Sequence, residues 1–227
     1  SDNVPVQDEV ALKRRAHALG RLVMGPGCGT AILGGVGLGF ANVVAPGPVG
    51  VVAAAGTGAQ EVTVLLDRMG TGVSRCYGTG GRDLHEEVGA ITALDAIARL
   101  AADPDTRVIL CVSKPPAPEV AERVLAALAA TGKPAAACLL GAADLPSPPG
   151  VEVRATLDDA GRLTPDLGAR RREAIYTYPD VGHQGVLQWS ASWRALLPDD
   201  SSVDALAYQR RSWRRSATIR PDAKQTS

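Results

Sequence analysis

From Val49 onward the chain alternates short, unbroken apolar runs with stretches whose apolar residues recur every three or four positions, and few folds accept that alternation. Val49-Gly50-Val51-Val52-Ala53-Ala54 has no polar position, as expected of a strand covered on both faces, and it ends at Gly56-Thr57-Gly58. Val62, Leu65, Leu66 and Met69 then form the single stripe of a helix lying on a sheet. The unit repeats. A strand at residues 72–77 precedes a helix running from Leu84 to Ala101, with Val88, Ile91, Leu94 and Ala98 inward. A strand at 107–113 precedes a helix at Pro118–Ala130 opened by proline in its first turn, and a further strand covers Pro134–Leu140. Strands separated by single helices run parallel, because each helix carries the chain back to the same end of the sheet. The expected fold is α/β, a flavodoxin-like three-layer parallel sheet over residues 49–145.

The flanks read differently. Residues 1–48 are expected to be the remnant of a preceding αβ unit, with a helix from Asp8 to Leu19 stopped by Gly20 and a short strand at Arg21–Met24. A glycine-rich connection follows, holding short strands at Ala31–Leu33 and Phe40–Val43. After Gly141 the pattern fades. Pro146-Ser147-Pro148-Pro149 reads as a linker, a short helix is expected within 158–172, and 146–227 as a whole reads as a divergent, poorly patterned tail.

Composition narrows the function classes. A hydrophobic fraction of 45% and a charged fraction of 21% are ordinary for a globular domain, and no apolar run reaches the roughly 20 residues of a membrane span. The opening residues show neither a basic nor an apolar leader region, so the expected location is cytoplasmic. Net charge is zero, but residues 170–227 carry ten Lys/Arg against six Asp/Glu, leaving −4 on the rest. Within that tail, Arg210-Arg211-Ser212-Trp213-Arg214-Arg215 has an aromatic among arginines. A solvated basic helix explains it better than nucleic-acid binding does. Cys28, Cys76, Cys111 and Cys138 lie far apart without a nearby histidine cluster, so no metal site or redox pair is expected. The last three read as small buried hydrophobes.

In an open parallel sheet, ligands bind beyond the carboxyl ends of the strands. Four loops qualify: Gly56-Thr57-Gly58, the stretch Gly78-Thr79-Gly80-Gly81-Arg82-Asp83, Ser113-Lys114-Pro115-Pro116, and Gly141-Ala142. Eighteen of the 25 glycines fall between Gly20 and Gly89, which concentrates tight turns and ligand-cradling backbone in the first half. A helix N-terminus at Gly56–Gly58 offers free amides to an anion. Arg82 adds a guanidinium and Lys114 a point charge, so these two are the candidate catalytic residues; Gly56, Thr57, Gly58, Gly80, Gly81 and Asp83 are the candidate anion-binding set. Thr57 and Asp83 have a structural reading as well. Thr57-Gly58-Ala59-Gln60 fits a capping box, and so does Asp83-Leu84-His85-Glu86 if Asp replaces Ser or Thr. Gly34-Gly35-Val36-Gly37-Leu38-Gly39 has a G-x-G spacing but no strand before it, which argues against a dinucleotide fingerprint, and no Walker A sequence is present. His17, His85 and His183 read as surface residues, and no loop order unites a nucleophile with a histidine.

Five stretches taken in order carry a family resemblance: Met24–Thr30, Leu38–Val43, Ala55–Glu61, Gly78–Leu84 and Val112–Ala117. Over about residues 1–145 they resemble the signature stretches of FdrA-type acyl-CoA synthetases. More distantly they resemble the succinyl-CoA synthetase α subunit, whose second domain is flavodoxin-like. The resemblance implies CoA as cofactor, a β-like partner subunit supplying the nucleotide site, and no resident metal. It also implies a nucleotide-binding-like domain ahead of this stretch and a further ligase-like half behind it, neither of which is recognisable here. Three departures matter. Ala53, Ala54 and Ala55 stand where the α subunit is serine-rich, and Lys114 stands where it has a glutamate. Gly141-Ala142-Ala143-Asp144 stands where it carries a phosphorylated histidine. What the resemblance implies is therefore direct handling of an acyl- or carbamoyl-phosphate, in an acid–thiol ligase or in a carbamoyl-transferring assembly acting on oxamate. A non-catalytic structural or regulatory subunit is the third reading.

Overall fold

The computed structural model describes residues 3–141 and 145–161, all within one compact unit, Ser1–Tyr178. His183, the three tryptophans and the Arg210–Arg215 run lie outside the described residues. Twelve elements follow in order: α1 (Val6–Ala18), β1 (Thr30–Leu33), β2 (Val36–Gly39), β3 (Pro46–Ala54), α2 (Gly56–Arg68), β4 (Val73–Gly78), α3 (Ile91–Ala102), β5 (Val108–Ser113), α4 (Pro118–Ala130), β6 (Ala135–Leu139), β7 (Val151–Arg154) and α5 (Leu157–Gly161).

One sheet of seven strands has the order β2-β1-β4-β3-β5-β6-β7. The five strands from β4 to β7 in that order run parallel. Counted along the chain they stand second, first, third, fourth and fifth, which is the flavodoxin-like order. Alternate residues of β3 serve the two faces. Val49, Val51 and Ala53 pack with Ala59, Val62 and Leu66 of α2 and with Leu157 and Ala160 of α5. On the other face, Val52 and Ala54 pack with Ala93, Ile97 and Leu100 of α3 and with Val124 and Leu128 of α4. These are the three expected layers.

Four expectations need correction. The sheet is mixed rather than wholly parallel, because β1 pairs antiparallel with both β2 and β4. The hairpin turn is Gly34-Gly35 with φ +58° and +77°, the left-handed pair that a two-residue turn demands; this explains the glycine spacing. It also places the second connecting strand at Val36–Gly39 rather than Phe40–Val43, while Arg21–Met24 is not a strand. The helix expected from Leu84 starts at Ile91. Leu84 and Val88 are buried, but within a run of turns, and Gly89 (φ +71°) and Ala90 (φ +62°) deny the helix its earlier start. Finally, the region read as linker and tail contributes β7 as a further parallel strand, followed by α5. Residues expected as remnants thus add α1 and the β1–β2 hairpin to the same unit.

Candidate functional site

β3 and β5 end side by side, with Ala54 opposite Ser113 in register, and the space beyond their carboxyl ends is the candidate crevice. From that point the chain leaves β3 into α2 on one face and β5 into α4 on the other, which makes it the switch point where this architecture opens a ligand cleft.

α2 begins abruptly. Its N-cap is Ala55, with no side-chain cap, and the first intrahelical bond runs from the Ala59 amide to Ala55 O at 2.8 Å. The amides of Gly56, Thr57 and Gly58 are therefore left without a partner among the described residues. The capping box does not form. Thr57 is exposed, and Gln60 instead sends Nε2 to Phe40 O at 2.7 Å. Alanine at the cap is poor helix chemistry, and it leaves three amides at the positive end of the helix dipole.

Lys114 follows β5 and is exposed, with no ion pair among the described residues. A Cβ added to Gly81 would lie 3.5 Å from Lys114 Nζ, so this side chain spans the end of β3 to reach the loop after β4. A third glycine-rich segment closes the near side. A Cβ on Gly80 would lie 2.5 Å from Pro26 O, and one on Gly78 would collide with Cys28 Sγ, so only glycine lets the 25–29 loop press against the exit of β4. Gly29 N lies 3.8 Å from the Cβ position of Gly56, and Thr30 Oγ1 donates to Gly56 O at 3.4 Å.

Arg82 and Asp83 have other partners. Arg82 donates from Nε to Glu9 Oε2 at 3.0 Å and from Nη2 to Val4 O at 2.7 Å, which ties it to the start of α1. Asp83 is fully buried, 2.6 Å from Lys13 Nζ, and it accepts the amides of Thr92 (3.3 Å) and Ala93 (2.8 Å). It thus closes the N-terminus of α3 rather than the helix expected at Leu84. Burial pushes its carboxyl upward, while Lys13 and the two amides pull it back. Lys13 is itself buried, bridging Glu9 Oε1 (2.9 Å), Asp83 and Thr79 O (2.9 Å). Sequence reasoning passed over Lys13 and Glu9; their i,i+4 spacing is the one signal that pairs them, and nothing in it foretells burial. The outcome for the crevice is electrostatic. The carboxylates of Glu9 and Asp83 are matched by Lys13 and Arg82, whereas Lys114 and the α2 amides have no carboxylate partner among the described residues.

The remaining candidates are quiet. His17 Nδ1 lies 2.9 Å from Asp95 on α3, and His85 is exposed in the turns after β4. Burial pushes the Cys76 and Cys111 thiols up to about 12 and raises that of half-buried Cys28, which makes all three poor nucleophiles. Among the described residues, no group of three or more His, Cys, Asp or Glu is placed to hold a metal.

The comparisons with known proteins bear on the same region. The protein-family model described as the CoA binding domain matches residues 45–140. The uncharacterized protein YahF of Escherichia coli (strain K12) is 51% identical over 146 residues, 64% of this chain and 28% of its own length. The succinate–CoA ligase (ADP-forming) subunit alpha of Methanothermobacter thermautotrophicus is 28% identical over 153 residues, 66% of this chain and 50% of its own. The chain thus spans from 28% to 50% of the length of these curated relatives. Among solved structures, ATP citrate lyase from Methanothrix soehngenii in complex with citrate and coenzyme A aligns with a TM-score of 0.58. At 17% identity, over 88% of this chain and 39% of that one, the likeness speaks for the fold alone. Over residues 45–140 the chain is thus similar to the CoA binding domain, and over a longer stretch to a succinate–CoA ligase α subunit.

Proposed function

We propose that this chain is an FdrA-type, succinyl-CoA synthetase α-like subunit of an acid–thiol ligase that handles an acyl- or carbamoyl-phosphate at the crevice between β3 and β5. The observation that carries this reading is the uncapped start of α2 at the end of β3, with Lys114, which has no ion pair among the described residues, at the end of the neighbouring β5. The amides of Gly56, Thr57 and Gly58 receive phosphate oxygens, the Gly80-Gly81 backbone leaves room beside them, and Lys114 balances charge that grows on the phosphate as its bond to the acyl carbon breaks. Arg82 and Asp83 serve indirectly, by fixing the loop that carries Gly80 and Gly81. CoA, when bound, supplies the thiol that accepts the acyl group. A partner subunit supplies the nucleotide, in line with the designation of the succinate–CoA ligase relative as a subunit.

The absence of histidine between Glu86 and Gly182 supports direct anion handling over a phosphohistidine relay. The carbamoyl branch of the reading rests on the same crevice with a smaller substrate. Isothermal titration of the full chain with phosphate, carbamoyl phosphate, oxamate and CoA tests it. Lys114→Ala is expected to weaken phosphate and CoA by about 1–2 kcal/mol, roughly tenfold. A folded sample that binds none of the four ligands would sink the reading.

A further inference from the structure

Among the described residues, every large hydrophobic side chain that stands exposed lies before Val44. Five of those seven, Met24, Val36, Leu38, Phe40 and Val43, fall within residues 22–60, a stretch with no Asp, Glu, Lys, Arg or His. At its centre is β2, the outermost strand of the sheet. An edge strand leaves a row of backbone amides and carbonyls unpaired, and proteins usually guard it with charge or proline; Val36-Gly37-Leu38-Gly39 carries neither. The hairpin fixes which groups are free. Flanking the two-residue turn, Leu33 and Val36 exchange backbone bonds, and the alternation continues through Ala31 and Leu38 to Gly29 and Phe40, where the Phe40 amide donates to Gly29 O. The amides and carbonyls of Gly37 and Gly39 therefore point away from β1, to the open side. The side chains are just as ordered. Ala41 covers the glycine face, since a Cβ on Gly37 would stand 3.2 Å from Ala41 Cβ, and Val36 and Leu38 project from the other face, 60% and 42% exposed.

We infer that β2 is the seam of a homodimer, in which a second copy of this chain lays its own β2 antiparallel against this one about a two-fold axis at Gly37. In that register Gly37 exchanges both backbone bonds with its counterpart, and Val36 faces Leu38 of the second copy on either side of the axis. Those two apolar pairs are of the closely spaced, non-hydrogen-bonded kind, which brings side chains nearest. Leu33 and Ala31 lie beside Val36 and Leu38 on β1, so the apolar row runs unbroken across the seam. Charge decides for a copy over an unlike partner. A two-fold axis sets each nearby residue close to its own duplicate, so any charge there meets its like, and residues 22–60 supply none. An unlike partner chosen by electrostatics needs a charge to read, and this edge offers none. Pairing joins two seven-stranded sheets into one and covers the exposed backbone of both. β1 and β4 separate the seam from β3 and the crevice, so the two readings stand or fall apart.

Sedimentation velocity of the full chain from about 1 to 100 µM, the span in which a small interface dissociates, is expected to show a species of twice the 23.4 kDa chain mass that gives way to monomer on dilution. Leu38→Lys sets two ammonium groups against the seam and is expected to raise the dimer Kd roughly tenfold or more, with circular dichroism unchanged. A disulfide assay tests the register. An equal mixture of Val36→Cys and Leu38→Cys chains, oxidised by dissolved oxygen, is expected to give several-fold more covalent dimer than either variant alone, because Val36 faces Leu38 directly whereas identical positions lie on the diagonal. The wild type, with its half-buried Cys28, sets the background. A chain that stays monomeric up to about 100 µM overturns the inference. So does a dimer that Leu38→Lys leaves intact, or one that yields no excess of cross-linked product in the mixture.

Discussion

Ala90 holds a left-handed backbone at φ +62° while fully buried, its amide donating to Asp83 O at 2.6 Å. Two effects oppose each other there. Replacing it with glycine relieves about 1–2 kcal/mol of Cβ strain, but it removes a buried methyl worth about 0.8 kcal/mol and adds about 0.4–1 kcal/mol of unfolded-state entropy. Ala90→Gly is therefore expected to fall within about 1 kcal/mol of the wild type. Ala90→Val, which brings a β-branched side chain to the same φ in a filled core, is expected to cost about 3 kcal/mol or more. Urea midpoints of the two variants check this, and a Val variant as stable as the Gly variant would contradict the strained backbone. The same scale shows what the sequence could and could not say about the site. The position of Lys114 was legible because it follows an apolar strand run, which sets it at the carboxyl end of β5. The engagement of Arg82 was not legible, because its partner Glu9 is 73 positions away on a helix whose own pattern reads as polar.

At the scale of elements, α2 puts folding and binding in opposition. An acid in its first turn would complement the dipole and stabilise the helix by about 0.3–1 kcal/mol, yet it would place a negative charge where the proposed ligand sits. Thr57→Asp is expected to raise the thermal midpoint slightly and to weaken phosphate and CoA by about tenfold or more. Loss of binding together with loss of stability would mean that Thr57 matters to the fold instead. α2 was also among the most legible elements, since its stripe of Val62, Leu65 and Leu66 matches its buried face. α3 shows where periodicity misleads. Leu84 and Val88 continue the spacing of its core residues and are buried, but spacing reports burial rather than helix, and the Asp83 cap acts from eight residues upstream of Ile91. β7 escaped for the opposite reason. It has four residues, of which Val151 alone is fully buried, which is too little pattern to set a strand apart from a linker.

Over the whole molecule the two ends of the sheet do different work. At the amino ends of the parallel strands, Arg75 of β4 donates from Nε to Asp103 at 2.8 Å, and Thr106 Oγ1 donates to the same carboxylate at 2.8 Å. Lys133 sends Nζ to the carbonyls of Leu100, Asp103 and Thr106, at 2.8, 2.7 and 2.7 Å. Burial alone would raise the Asp103 carboxyl, but the hydrogen bonds from Arg75, Thr106 and the Asp105 amide outweigh it and hold it below the ordinary carboxylate range. A carboxyl depressed in the folded state contributes its stability above its unfolded pKa of about 3.9 and loses it as pH falls through the lower folded value. Asp103→Asn is expected to be about 1–2 kcal/mol less stable than the wild type at pH 7, with the gap closing below about pH 4. Urea unfolding at pH 7 and pH 3 measures it, and a gap that persists unchanged at pH 3 would assign the effect to packing. At the carboxyl ends, the buried Lys13 joins Glu9 to Asp83 beneath the rim of the crevice. The peptide link between α1 and the sheet passes through exposed Arg21, outside any helix or strand. Severing the chain there would leave an ammonium and two carboxylates whose separation means hydrating charges now matched inside the protein. The first helix is thus held less by its covalent tether than by its charges, and behaves as a built-in ligand of the domain.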